Sequence, residues 1–245
     1  MKRKTFTLAG PSFVVPGTIQ DNVMALKDLV SEVGLTFFQS RASLDYTRED
    51  MPENLAWLGL KYHVHLPLDL NWRLGADQVF RVASALVQKA GFLSPDKFVL
   101  HPPAEAVELE EFALLWQKTG LSPGKLLVEN INGNDLSRLW VVIEEQGLGI
   151  CLDIGHIMAY NQLNILEHDL VWERTSLVHV YGREDHTGHA GLPVISESGK
   201  RTLQLILSRV KEGTSVLLEI FSLQDFLDSK DILIQMADSW GMDFV

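Results

Sequence analysis

The chain has 245 residues, 46% of them hydrophobic, and a net charge of −11 at pH 7. That much apolar material can fill one large core, and a (β/α)8 barrel commonly takes about 250 residues as a single domain. The acidic balance disfavours binding to extended nucleic acid, which draws on Lys and Arg to neutralise phosphates. Apolar runs such as Leu55-Ala56-Trp57-Leu58 and Val216-Leu217-Leu218 are too short for a membrane-spanning helix.

The start, Met1-Lys2-Arg3-Lys4, is basic, but Gly10, Pro11, Pro16 and Gly17 interrupt the stretch after it. A secretory signal needs roughly 7–15 continuous apolar residues there, so the segment reads as a strand at 6–9. Thr18 then caps a helix with apolar positions Ile19, Val23, Leu26 and Val30. Strands are expected at 34–38 and 62–66. Ala76, Val79, Phe80, Ala83, Val87 and Ala90 repeat at helical spacing and stop at Gly91. After a strand at 98–101, Phe112, Leu115 and Trp116 line a helix ending at Gly120. A strand at 126–129 precedes a helix through Leu136, Leu139, Trp140 and Ile143 that ends at Gly147. A strand at 149–153 leads to the weakest helical pattern, 165–173, and then to a strand at 177–180. Leu203, Ile206, Leu207 and Val210 precede Gly213, and the next strand is expected at 216–220. Ser222 opens the last helix, with Asp225 placed for a capping-box-like contact.

Alternating strands and helices without a Ser- or Pro-rich linker argue for parallel strands with crossover helices. Eight such units predict a single-domain (β/α)8 TIM barrel over residues 1–245. The competing open doubly wound sheet lacks its Gly-x-Gly-x-x-Gly phosphate loop after the first strand. The one cysteine, Cys151, can form no internal disulfide and fits a reducing cytoplasm.

Barrel enzymes place their chemistry at the C-terminal ends of the strands. Here those ends carry His65, His101, Glu129, Asp153, His179 and Glu219, one on each of six consecutive strands. Glu129, Asp153 and Glu219 close apolar runs, and buried carboxylates this close need cations between them. His156 can turn back over the rim, and Asp185 and His186 come after strand 7 as further ligands. Mixed oxygen and nitrogen donors suit Zn, Mn, Fe or Co better than Ca or Mg. A lone strand-end histidine is more often a hydrogen-bonded core residue, and a lone carboxylate is often a helix cap. Six strands meeting the pattern independently outweigh that reading. His63 shares the face of His65 but sits deeper, as a supporting or structural residue. His189 stays outside the cage, His168 reads as solvated surface, and Trp57, Trp116 and Trp140 read as core or helix-face residues.

The segments His65-Leu-Pro, Val99-Leu-His101-Pro, Leu127-Val-Glu129-Asn130, Cys151-Leu-Asp153-Ile-Gly155-His156, Leu177-Val-His179 and Leu217-Leu-Glu219 resemble, in order, the xylose isomerase-like barrel superfamily. That superfamily includes sugar isomerases and epimerases and the second family of apurinic-site endonucleases. Isomerases and epimerases typically use the set matched here by Glu129, Asp153, His179 and Glu219. The endonuclease IV branch adds the positions of His65, His101, His156 and an Asp/His pair. The resemblance implies one metal on His65, His101 and Glu129. It implies a second on Glu129 as bridge, Asp153, His179 and Glu219, and a third on His156, Asp185 and His186. The endonuclease pattern has a residue between that Asp and His, whereas Asp185 and His186 are adjacent.

Two or three divalent ions, Zn or Mn, suit phosphoester hydrolysis by activated water, with Glu129, Glu219 and His101 as the catalytic candidates. The expected substrate is a small-molecule phosphodiester. The stretches Phe13-Val14-Val15-Pro16-Gly17, 32–38 and 62–70 look like cobamide-remodelling phosphodiesterases, which cut the nucleotide loop of corrinoids. A sugar isomerase or epimerase is the first alternative, with Glu129 and Glu219 as bases. An apurinic-site endonuclease is the second, disfavoured because no basic, aromatic-interleaved insert is present. A non-catalytic metal-binding barrel is the third.

Overall fold

The computed structural model describes residues 3–185 and 188–245. Short runs rich in branched and aromatic residues become parallel strands, each leading into a crossover. The first seven are β1 (Lys4–Pro11), β2 (Glu32–Thr36), β3 (Lys61–His65), β4 (Phe98–Leu100), β5 (Leu126–Glu129), β6 (Gly149–Asp153) and β7 (Thr175–Val180). A small antiparallel hairpin comes next, β8 (Arg183–Asp185) and β9 (Gly188–Ala190). The eighth barrel strand, β10 (Ser215–Leu218), pairs with β7 on one side and β1 on the other, which closes the sheet. Thus the eight-stranded parallel barrel expected from the sequence is formed. Besides the hairpin, β11 (Met242–Phe244) lies outside the barrel and pairs with the first half of β1, with Lys4 opposite Met242.

The helices are α1 (Ile19–Leu26), α2 (Ser40–Asp45), α3 (Ala76–Ala90), α4 (Ala106–Trp116), α5 (Trp140–Glu145), α6 (Ile154–Ala159), α7 (Asp169–Arg174), α8 (Glu197–Arg209) and α9 (Leu223–Ser239). Thr18 caps α1 as expected: its hydroxyl accepts from Asp21 N while Asp21 reaches back to Thr18 N. Along α3, Ala76, Val79, Ala83, Leu86 and Ala90 are buried at helical spacing. Gly120 and Gly147 stop their helices with φ of 76° and 67°, the left-handed backbone that glycine adopts without a Cβ clash; α8 ends earlier than expected, at Arg209, and Gly213, at φ 84°, sits in the turn before β10. Gly91 does not. It is right-handed at φ −55°, the chain continues in a 3-10 turn, and Ser94 takes the left-handed position at φ 52°.

Other expectations also change. The helix anticipated from Leu136 starts at Trp140, because Leu136 has φ 63° and is incompatible with an α-helix. The 165–173 pattern breaks into a 3-10 turn at Leu163–Glu167 and the short α7. Of the tryptophans read as core or helix-face, Trp57 is exposed on a 3-10 turn and Trp116 is core. His168 is half-buried rather than fully solvated: its ring stacks on Trp140 with centroids 4.3 Å apart.

Alternation along the strands fills the barrel in layers. The middle layer is apolar: Ala9, Val99, Leu127, Cys151, Leu177 and Leu217 form their own buried cluster. Each fully buried Leu or Val contributes about 1.5–3 kcal/mol. Below it lies a polar floor. Glu32 accepts from His63 Nδ1 at 2.5 Å, from Ser215 Oγ at 2.5 Å and from Lys97 Nζ at 3.0 and 3.2 Å. Burial raises the Glu32 pKa, but hydrogen bonds from His63 and Ser215 and the Lys97 charge outweigh it and hold the carboxyl well below the usual range. Burial lowers the pKa of His63, so the ring is neutral and Lys97 supplies the countercharge. His63 is therefore a floor residue. Gly34 leaves room for it, since a Cβ there would stand 2.5 Å from His63 Nε2.

Candidate metal centre

Above the apolar layer the strand ends converge. His65, Glu129, Asp153, His179 and Glu219 are all buried. One donor atom from each of Glu129, Asp153, His179 and Glu219 lies within 4.8 Å of the other three, and His65, Glu129 and His179 form a second such group. His179 Nδ1 faces all three carboxylates, 2.9 Å from Glu129 Oε1, 3.4 Å from Glu219 Oε2 and 3.9 Å from Asp153 Oδ2. The register explains this: Asp153 pairs with His179 and His179 with Leu217, so adjacent strands project their ends at one height.

Glu129 divides the cage. Its Oε1 belongs to the His179 side. Its Oε2 lies 3.2 Å from His65 Nε2 and 3.1 Å from His101 Nε2. His65 is oriented by its other nitrogen, which bonds to Leu66 O at 2.8 Å. His101 lies just past β4 and is the most open of these imidazoles, with its side chain 23% exposed. His156, on α6, reaches Asp153 Oδ2 at 3.3 Å through Nδ1, which also bonds to Asn130 O at 2.9 Å.

The charges compensate in pairs. Burial raises Glu129, yet the neighbouring His179 and His101 rings hold it well below the carboxylate range. Burial pushes Asp153 up to about 6, with the Glu129 and Glu219 charges adding to the rise and His156 opposing it. Burial also raises Glu219, but His179 and His189 bring it down to about 2. For His179, burial opposes protonation and is overcome by Cys151, Glu219 and Glu129, so its pKa lies well above normal. Asp153 Oδ2 and His179 Nε2 are buried without a hydrogen-bond partner. A mixed set of carboxylate and imidazole donors at this spacing fits transition-metal ions.

Several residues without a role assigned from sequence support the cage. Asn130 is fully buried; its Oδ1 accepts from Asp153 N at 2.8 Å and its Nδ2 donates to Asp153 O and Gln162 Oε1, both at 3.0 Å. His189 Nδ1 bonds to Glu219 O at 3.0 Å, and its ring stacks on Tyr181 at 3.8 Å. Glu184 is a site residue that the sequence reading passes over. Its Oε2 stands 3.5 Å from His156 Nε2, and it accepts from Tyr160 at 2.5 Å and Tyr181 at 3.3 Å. A signal for it is present: Glu184 and His186 are separated by one residue. Asp185 lies on β8, but its side chain and His186 fall outside the described residues.

A pocket of about 240 Å3 opens onto the cage, lined by His65, His101, Glu129, His156 and Glu219 on its polar side. Its opposite wall is apolar, with Phe38, Leu68 and Phe221. Phe13 packs edge-on against Phe38 at 4.8 Å, and Phe38 against Phe221 at 5.3 Å.

No family model and no curated protein sequence matches the chain. Solved structures do. A D-tagatose 3-epimerase-like protein superposes with a TM-score of 0.71 at 16% identity, over 96% of this chain and 98% of that one. A xylose isomerase domain protein from Planctomyces limnophilus gives 0.67 at 12% identity, covering 97% and 98%. The IOLI protein with a bound zinc atom gives 0.66 at 12% identity, covering 96% of each chain. The fold is therefore a (β/α)8 barrel, which these structures share. Such a fold hosts many chemistries, so the side chains of the site, and not the barrel, decide the substrate.

Proposed function

We propose that this protein is a metal-dependent hydrolase that cleaves a phosphodiester in a small-molecule substrate. The carrying observation is Glu129, whose two oxygens face two different sets of histidines, His179 on one side and His65 with His101 on the other. That arrangement suits two adjacent ions sharing one carboxylate. Divalent ions bound there supply Lewis acidity toward a phosphoryl oxygen and lower the pKa of a coordinated water. Asp153, His179 and Glu219 would hold one ion and His65 and His101 the other, with His156 and Glu184 offering donors for a third. The chain's own groups orient the substrate. His101 is the cage imidazole nearest the opening, and Phe38, Leu68 and Phe221 keep one side of the pocket dry. That apolar wall is compatible with a bulky organic substrate, and the cobamide nucleotide loop is the first to assay on the strength of the three resembling stretches.

The test is purified protein loaded with Mn or Zn, assayed on a cobamide and on bis(p-nitrophenyl) phosphate. Hydrolysis of either is expected, and Glu129→Gln should abolish it while circular dichroism stays unchanged. Full activity in that variant would remove Glu129 from the mechanism.

A sugar isomerase or epimerase is the second reading. It is favoured by the compact Glu129, Asp153, His179 and Glu219 group and by epimerase-like structures among the similar folds. Elemental analysis separates the two. One ion per chain supports isomerisation; two or three support phosphoester chemistry.

A further inference from the structure

A second cavity, of about 540 Å3, lies beside the metal centre, between the loop after β5 and the end of α6. Its lining includes Asn132, Asp135, Arg138, Tyr160, Asn161 and Gln162. Two of these tie it to the cage. Tyr160 donates to Glu184, which lines the catalytic pocket. Gln162 holds Asn130, which in turn fixes the backbone of Asp153. The cavity wall and the ligand frame are one hydrogen-bonded unit.

The cavity is chemically two-sided. Asp135 accepts one bond on each oxygen, Oδ1 from Ser137 N and Oδ2 from Asn164, which leaves a lone pair on each. Burial raises its pKa, but hydrogen bonds from Ser137 and Asn164 prevail and keep it lowered, so it is an anion. Arg138 lies three residues on and does not pair with it. Among the described residues, the Arg138 guanidinium and the Asn132 and Asn161 amides make no side-chain hydrogen bond or ion pair. Two non-glycine residues with positive φ lie in these segments: Asn161 at 54°, which lines the cavity, and the core residue Leu136 at 63°, between the lining residues Asp135 and Ser137. Such backbone persists only where its surroundings impose it.

We propose that this cavity is the second half of the substrate site and takes a sugar phosphate, free or as the end of a larger molecule. Arg138 faces the phosphate, to which a planar guanidinium offers paired donors. Asp135 and the two amides meet the sugar hydroxyls. This assignment rests on the phosphodiesterase reading of the adjoining centre.

Calorimetric titration tests it, with ribose 5-phosphate, ribose and inorganic phosphate as probes. Protein as purified and protein treated with chelator are both used, because phosphate also binds metal. Ribose 5-phosphate should bind in both. Arg138→Ala should weaken it about tenfold or more, the scale of one lost charge-assisted pair, and Arg138→Lys should recover part of the loss. Ribose alone should be indifferent to Arg138. Equal binding by Arg138→Ala and the unmodified chelator-treated protein would overturn the proposal, as would no binding up to millimolar probe. If Arg138 matters for binding but neither diester is hydrolysed, the cavity stands and the phosphodiesterase reading fails. If diesters are hydrolysed and Arg138→Ala alters neither binding nor KM, the cavity assignment alone fails.

Discussion

Glu184 and His156 face each other at the barrel mouth, Oε2 to Nε2 at 3.5 Å. The acid facing His156 Nε2 is thus Glu184, which stands one residue apart from His186 in sequence. Glu184→Gln should lower the number of tightly bound ions per chain by one. Elemental analysis after dialysis reads it, and an unchanged ion count would remove Glu184 from the ligand set.

Asn130 joins strand β5 to the Asp153 backbone and, through Gln162, to the neighbouring loop. Asn130→Ala leaves buried polar groups unpaired, at a cost of about 1–3 kcal/mol. Groups that orient ligands typically change metal affinity about 10–100-fold. A chelator competition assay should show weaker metal binding in the variant. Unchanged affinity would confine Asn130 to stability.

Gly155 sits under Tyr181: a Cβ there would lie 2.0 Å from the ring carbon bearing the hydroxyl. In an ordinary helix Gly→Ala gains about 1 kcal/mol. Here the overlap should reverse the sign, and Gly155→Ala should destabilise by about 1–3 kcal/mol. It should also displace Tyr181 from His189, on which it stacks nearly parallel, at 3°. Thermal melting checks the first effect. A variant as stable as the parent would contradict this packing.

The pH dependence of stability is read most cleanly at the floor. Glu32 has a lower pKa folded than the roughly 4.3 of an unfolded glutamate. Its contribution is complete above that unfolded value and is lost as pH falls toward the folded one. Glu32→Gln leaves Lys97 buried beside a neutral amide, and removing one partner of such a pair costs about 3–5 kcal/mol. The loss should be large at pH 7 and smaller near pH 3. Denaturant midpoints at both values measure it, and a loss independent of pH would show that Glu32 acts only by packing.

The strand ends were legible because each ligand terminates an apolar run that has few other places to go. Glu129 after Leu-Leu-Val and Asp153 after Ile-Cys-Leu state burial and charge together. The loops were not legible in the same way. Leu136 carries an ideal helical spacing, yet its backbone turns left-handed and the helix begins four residues later. Phe13, Phe38 and Phe221 come from three separate loops, and nothing local in the chain announces that they share a wall. Asn130 and Gln162 meet across 32 positions. Such pairings are set by which loops the closed barrel brings side by side.

The six apolar side chains across the barrel's waist plug the cage from beneath, while the described pocket meets it from the rim. On the proposed reading, ion and substrate share that approach, so a ligand lodged against Phe38 and Phe221 would hinder loading and turnover together.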